Sequence, residues 1–371
     1  MASREYVDLV NSLRGQSEAE ALALAARSSL RVLPVIADVQ SDNLNAILLP
    51  LLRATIVHSA VLLDPSSEAR AAARSAAQSI ASVSASHKLA ESAVRQTIAT
   101  ANGLARSASF FRGNMVSSKE VADAAADAVR AARKASEISE SEIFADWRRL
   151  GSPVAPLAHF DQPLWSTPSA AMEKKRNLLT RHWISKPDVW DFWRYWYRGY
   201  HIGKPLDWEL QRRVALIPTE DWEQGQAHIA GRIAEIQANQ EVRSRIGELE
   251  AELSSSAASR FGIGGNHPPE AIIETAIPRP NELIFVWEPM TELMVEAQAA
   301  SPDPDRVQDI LDRLVAALKM GLEWVASKID LAVDTAIKWG IPAIGGGYFA
   351  LNPSKLEAVV NAGEAWLVFL R

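Results

Sequence analysis

The stretch VWDFWRYWYRGYH, residues 189–201, places seven aromatic rings in thirteen positions. Nothing else in the chain restricts the fold so tightly. At roughly 100° per residue on a helical wheel, Trp190, Phe192, Trp193, Tyr195, Trp196, Tyr197 and Tyr200 sweep an arc of about 220°, leaving a narrow remainder to Asp191, Arg194 and Arg198. If each ring buries roughly 150–250 Å², the seven remove on the order of 1,000–1,700 Å² from water, about 25–40 kcal/mol gross before entropy. So much apolar surface is not left wet without a partner. The segment is therefore expected to be an engulfed core helix, with the tips of Tyr195, Tyr197 and Tyr200 at its rim or bonded to carbonyls.

Tryptophan also marks a module. Eight of the twelve tryptophans (Trp147, Trp165, Trp183, Trp190, Trp193, Trp196, Trp208 and Trp222) fall between 147 and 222, and the first 146 residues hold none. The entry to this module, LGSPVAPLAHFDQPLWSTP, carries Pro153, Pro156, Pro163 and Pro168 and reads as extended chain wrapped over helices.

Elsewhere the 371 residues, enough for two or three units, show helical periodicity almost everywhere. Tyr6, Val7, Leu9, Val10 and Leu13 share one helical face. Residues 44–63, LNAILLPLLRATIVHSAVLL, have the length of a membrane span. Pro50, Arg53 and His58 are unwelcome in lipid, so a buried helix pair broken near Pro50 is expected instead. Between Ser66 and Phe111 alanine fills 14 of 46 positions and serine 10, giving thin helices that pack closely. Ser117 and Glu120 have the spacing of a capping box and predict a helix over 118–148. Thr219, with Glu220 and Asp221 in the first turn, predicts another that runs to Leu253. Residues 254–282, rich in Ser and Gly with Pro268, Pro269, Pro278 and Pro280, read as a linker. Ser301 or Asp303 with Pro304 opens a last amphipathic helix, whose stripe runs from Val307 to Ile337. Five basic and five acidic residues balance its other face, which favours packing on helices over a membrane surface. The fold class expected is all-α: a multi-module helical bundle divided into an Ala-rich bundle (1–146), a Trp-rich module (147–253), a Pro/Gly-rich linker (254–282) and a C-terminal amphipathic helix with an apolar tail (283–371).

The segments PLW (163–165), WRYWYRGYHIGKP (193–205), WEQG (222–225) and GIGGNHPPE (262–270) resemble a module of helical alphaproteobacterial proteins of unknown function. In those proteins the last motif more often reads Gly-Ile-Gly-His-Asn-Asn-Pro-Pro. This chain departs from it at Gly265-Asn266-His267 and has Gln226 where a proline is usual. The resemblance covers residues 147–270, implies a helical architecture, and brings no catalytic residue with it.

Composition narrows the function. With no cysteine, disulfides, thiolate metal sites and a Cys nucleophile are excluded. A net charge of −6 disfavours nucleic acid as a partner. The N-terminus MASREYVDLVNSLRG does not read as a secretory signal, so a cytoplasmic protein is expected, either free or peripheral to the inner face of a membrane. The seven histidines are scattered, and neither H-E-x-x-H nor a Gly-x-Ser-x-Gly elbow is present. His159 and Asp161, joined by Asp221 or Glu223, form the one proton-shuttling trio that sequence suggests. GIGG lacks the Lys-Ser/Thr of a phosphate loop, and Phe261, Ile263 and the proline pair suit a docking role for the linker. No enzyme, cofactor or metal is expected.

The leading reading is a scaffold or assembly protein with a protein partner or a second copy of itself. A second is a membrane-acting effector that inserts residues 339–371. The contacts in that membrane or oligomer segment would be Trp339, Pro342, Gly345, Gly346, Gly347, Tyr348, Phe349, Trp366 and Phe369. WGIPAIGGGYFALNPS (339–354) has no formal charge, and as a helix of roughly 24 Å it falls short of a bilayer of about 30 Å. A third reading binds nucleic acid or a phosphorylated ligand through residues 173–213, where ten basic residues face five acidic ones. The candidate contacts there are Trp193, Arg194, Trp196, Arg198, Tyr200 and Lys204.

Overall fold

The computed structural model describes residues 11–13, 15–39, 41–86, 91–112, 117–136, 139–150, 156–261, 284–326, 339–343, 347–351 and 353–371. Among them the architecture is all-α, with one short hairpin, and it divides into two compact units, Met1–Ile233 and Ala234–Arg371.

In the first unit α1 (Glu18–Val32) is central, with thirteen of its fifteen residues buried. A reciprocal cap starts it. The Ser17 hydroxyl accepts from the Glu20 N–H at 3.3 Å, and the Ser17 N–H donates to the Glu20 carboxylate at 3.0 Å, satisfying donors that a helix start leaves open. Around it pack α2 (Ser41–Leu63), α4 (Ser92–Phe110), α5 (Ser117–Ala135) and α6 (Ser139–Leu150), while α3 (Ser67–Ser86) lies on α2 and α4. Small side chains permit the close approach that composition predicts: a Cβ added at Gly103 on α4 would lie 2.8 Å from the Ala128 nitrogen of α5.

The second half of the unit holds α7 (Ala170–Ile184), α8 (Pro187–His201), α9 (Trp208–Ala215), α10 (Thr219–Glu223) and the first turns of α11 (Gln226–Phe261). Ser169 caps α7, Pro187 occupies the first turn of α8 and Asp207 caps α9. The end of α8 is a Schellman turn, with the Lys204 N–H donating to Gly199 O at 2.8 Å and Gly203 left-handed at φ 70°. Side chains are barred at Gly203 for a second reason, because a Cβ there would sit 2.7 Å from Asp161 O.

The second unit is a bundle of the later turns of α11 with α12 (Ile284–Gln298), α13 (Pro304–Ala326) and α14 (Pro353–Leu370). Its core joins Val242 and Ile246 to Leu293, Leu311, Val359 and Trp366. Of the two caps expected, Ser301 and Asp303, it is Asp303 that caps α13, accepting from the Asp305 N–H at 3.0 Å.

Several expectations need correcting. α2 runs unbroken through Pro50, because its apolar surface is held on all sides by the bundle. It is the one described helix long and apolar enough to cross a membrane, and 78% of its most apolar window is buried. The predicted helix over 118–148 is two helices, α5 and α6. The helix expected from Thr219 to Leu253 breaks at Gly225, whose φ of 92° ends α10 before α11 begins. α11 then continues to Phe261, into residues expected as linker. The composition break at Trp147 is no boundary between units, since both sides of it lie within Met1–Ile233.

Residues 339–343 and 347–351, expected from sequence as part of an uncharged membrane or oligomer segment, form two antiparallel strands, β1 (Trp339–Ala343) and β2 (Gly347–Leu351), in register from Trp339↔Leu351 to Ala343↔Gly347. The face of Tyr6 to Val10, the capping side chain of Ser117, the GIGGNHPPE motif, Gly345 and Gly346, and the stripe beyond Ala326 lie outside the described residues.

Candidate functional site

The aromatic segment forms α8, and six of its seven rings are buried. Trp193 and Trp196 meet edge to face at 5.5 Å between centroids, Trp196 and Tyr200 at 5.4 Å, and Tyr200 meets Phe160 at 5.5 Å. The first two pairs lie within α8, and the Tyr200–Phe160 pair binds it to the entry segment through ring quadrupoles as well as area. Trp193, Trp196 and Tyr200, the rings proposed for stacking a ligand, are therefore core. The departure is Tyr195, exposed on the outer side, with the Arg194 guanidinium 4.3 Å from its ring centre. Arg198 and Lys204 also reach solvent.

Three polar networks fasten this core. The first unites α1 and α6 with the Pro-rich entry. Arg27 donates through Nε to Asp146 at 2.7 Å, and through its other nitrogens to the carbonyls of His159 at 2.8 Å, Gln162 at 3.0 Å and Pro163 at 2.8 Å. Arg31, one turn on, donates to Leu164 O at 2.7 Å, pairs with Asp146 and faces the Trp165 ring at 5.9 Å. Glu142 accepts from the Ser166 N–H at 3.0 Å. Among the described residues, the entry expected as extended chain opens with a 3-10 turn, Pro156–Asp161, and only then runs on without helix or sheet. Its carbonyls would be left unsatisfied by burial, and the guanidinium forks supply the missing donors. Burial alone would raise the Asp146 pKa, but the two guanidiniums outweigh it and hold the carboxyl below its usual range.

The second network lies under α8. The Trp196 indole N–H donates to Gln211 Oε1 at 2.8 Å, the Tyr200 hydroxyl donates to the same oxygen at 2.7 Å, and Gln211 Nε2 donates to Leu206 O at 2.8 Å. His58 faces Thr55 O through Nδ1 and the Tyr200 oxygen through Nε2 at 3.1 Å. A carbonyl only accepts, which assigns the imidazole proton to Nδ1 and makes Nε2 an acceptor, so Nε2 and Gln211 Oε1 share the one Tyr200 hydroxyl proton. Burial brings the His58 pKa down to about 4.

The third network explains a charge in α2, the described helix long and apolar enough to cross a membrane. Arg53 donates to Ser75 Oγ at 3.2 Å and Thr219 Oγ1 at 2.9 Å, and lies 5.3 Å over the Trp222 ring. Burial lowers its pKa to about 10 against the opposing fields of Glu223 and Glu220, so it stays charged at neutral pH. Thr219, expected as a helix cap, is the first helical residue, with Pro218 at the cap.

The predicted proton-shuttling trio is not assembled as a unit. Asp221 is engaged by His228 at 2.9 Å and Arg232 at 3.3 Å, and His159 serves the arginine network through its carbonyl. Among the described residues no group of three His, Asp or Glu side chains is arranged to hold a metal. In the C-terminal segment, Trp366 is buried in the second unit's core and Phe369 is exposed. Sequence reading missed Arg27, Arg31 and Gln211. Two arginines four apart in ALALAARSSLRVL, a helix with no polar side, were the available signal.

The buried His58 sets a pH dependence. Its folded pKa of about 4 lies below the ordinary 6.5, so the unfolded chain takes up a proton that the folded chain refuses. The contribution is full above pH 6.5 and is lost as pH falls to about 4, a loss of about 3 kcal/mol. Urea unfolding across that range is expected to show this slope in the parent chain and its absence in His58→Gln.

No protein-family model, curated protein or solved structure matches this chain.

Proposed function

We propose that this chain is a non-enzymatic helical scaffold that acts through the surfaces it holds in place and self-associates through α14. One observation carries the reading: α14 seats Trp366 and Leu367 in its unit's core yet leaves Val368 73% and Phe369 43% exposed beside them. Neighbouring apolar side chains so exposed favour burial against another surface. The internal polar groups support the same reading, because Arg27, Arg31, Asp146, His58 and Gln211 are buried and hold segments of the fold to one another. Insertion of residues 339–371 into a membrane would require α14 to leave a core containing Leu356, Val359, Val360 and Trp366, a cost with no observed compensation.

Size-exclusion chromatography with light scattering tests the proposal on the full chain and on Val368→Asp/Phe369→Asp. The parent is expected to be oligomeric and the variant monomeric with unchanged helix content. A parent that stays monomeric at every concentration contradicts the reading.

A further inference from the structure

The α7–α8 hairpin turns most of its rings inward, and the residues it leaves outside have their own pattern. Of the eight large apolar side chains exposed in the described chain, four belong to it: Leu178 (37%), Ile184 (55%), Tyr195 (46%) and Ile202 (47%). Residues 173–204 carry eight basic side chains against three acidic ones, in a chain of net charge −6. Lys175 is tied to Asp38 and Arg194 to Asp191, whereas Lys174, Arg181, Lys186, Arg198 and Lys204 stand in solvent.

Helical spacing assembles these residues into one face. α8 buries Trp193, Trp196 and Tyr200 on one side, and Asp191, Tyr195, Arg198 and Ile202 follow at three- and four-residue steps on the other. α7 buries Met172, Leu179 and Trp183, and Asn177, Arg181 and Ile184 follow on its outer side. The helices run antiparallel, since Trp183 meets Tyr197 at 5.9 Å and Arg176 reaches His201. The two outer stripes therefore share one solvent-facing surface.

We infer that this face docks on an anionic lipid bilayer. Its apolar side chains stand singly between cations, so aliphatic groups can enter the headgroup boundary while Lys and Arg meet the negative surface potential. Charge complementarity sets the orientation, because residues 173–204 carry a balance of +5 while the rest of the chain sums to −11. A nucleic acid would want the indoles for stacking, and Trp193 and Trp196 are buried. It would also leave Ile184 and Ile202 without a role. This surface lies in the first unit and is independent of α14, so self-association and membrane docking fail separately.

Co-sedimentation of the full chain with phosphatidylserine/phosphatidylcholine vesicles, against phosphatidylcholine alone, tests the inference. Partition is expected to favour the anionic vesicles by about tenfold or more and to weaken at high salt. Arg181→Glu/Arg198→Glu and Ile184→Ser/Ile202→Ser change exposed positions, so both should fold, as checked by circular dichroism. Each is expected to lower partition about tenfold or more. Equal affinity for both vesicles, no binding to either, or unchanged partition in the two variants overturns the inference. A glutamate-sensitive, serine-insensitive interaction displaced by a single-stranded oligonucleotide also overturns it, in favour of a nucleic-acid surface.

Discussion

Asp146→Ala is expected to lower the unfolding free energy by about 3–5 kcal/mol, the cost of leaving buried cations without their counter-charge. The carboxylate takes bonds from Arg27 and Arg31 together, and all three side chains are buried. Its removal leaves two guanidiniums repelling each other in a low-dielectric interior, with Glu142, 3.9 Å from Arg31, as the nearest remaining acid. The same arginines hold the carbonyls of residues 159–164, so the damage should spread to the Pro-rich entry. Asp146→Asn keeps an acceptor and should cost less. Urea unfolding of parent and variants measures the differences, and a loss below about 1 kcal/mol would mean that the pair is a surface-like ion pair. Acid reproduces the effect, since stability contributed by a carboxyl of lowered pKa is lost as pH falls through that value.

The features legible in the sequence were those written in local spacing. Seven rings at helical period announced a buried helix, and Ser301 or Asp303 with Pro304 announced the start of α13. Features that depend on distant partners were not legible. Arg27 finds Asp146 across 119 residues, and nothing near Arg27 says which acid will meet it. The Trp147 break failed as a boundary for the same reason, because its Pro-rich segment is bonded to α1 and completes the fold that precedes it. Pro50 shows a local rule yielding to tertiary packing: a helix interior normally rejects proline, yet burial of Ile47, Leu48, Leu51 and Leu52 around it keeps α2 whole. Tyr195 was placed with the core rings by the wheel, but it lies at the edge of the arc, and the stacked Arg194 covers part of its face. Of the proposed contacts on α8 and the turn after it, the rings Trp193, Trp196 and Tyr200 went inward, and Arg194, Arg198 and Lys204 stayed at the surface or its edge.

Trp193→Ala carries the second large effect. The indole is 1% exposed and contacts the rings of Phe192, Trp196 and Trp222. Truncation removes its buried area and opens a cavity whose walls, three other aromatic rings, are too rigid to close it. A loss of about 3–5 kcal/mol follows. Tyr195, two residues on in the same helix, is 46% exposed, and Tyr195→Ala should stay within about 0.5–1 kcal/mol of the parent. Together the two substitutions separate an aromatic core from an aromatic platform.

Urea unfolding of Trp193→Ala beside Tyr195→Ala tests most directly whether the ring-rich helix is internal support. A large drop in midpoint for the first and almost none for the second is the predicted result. Near-parental stability in Trp193→Ala would contradict it, because that indole would then contribute little to the fold.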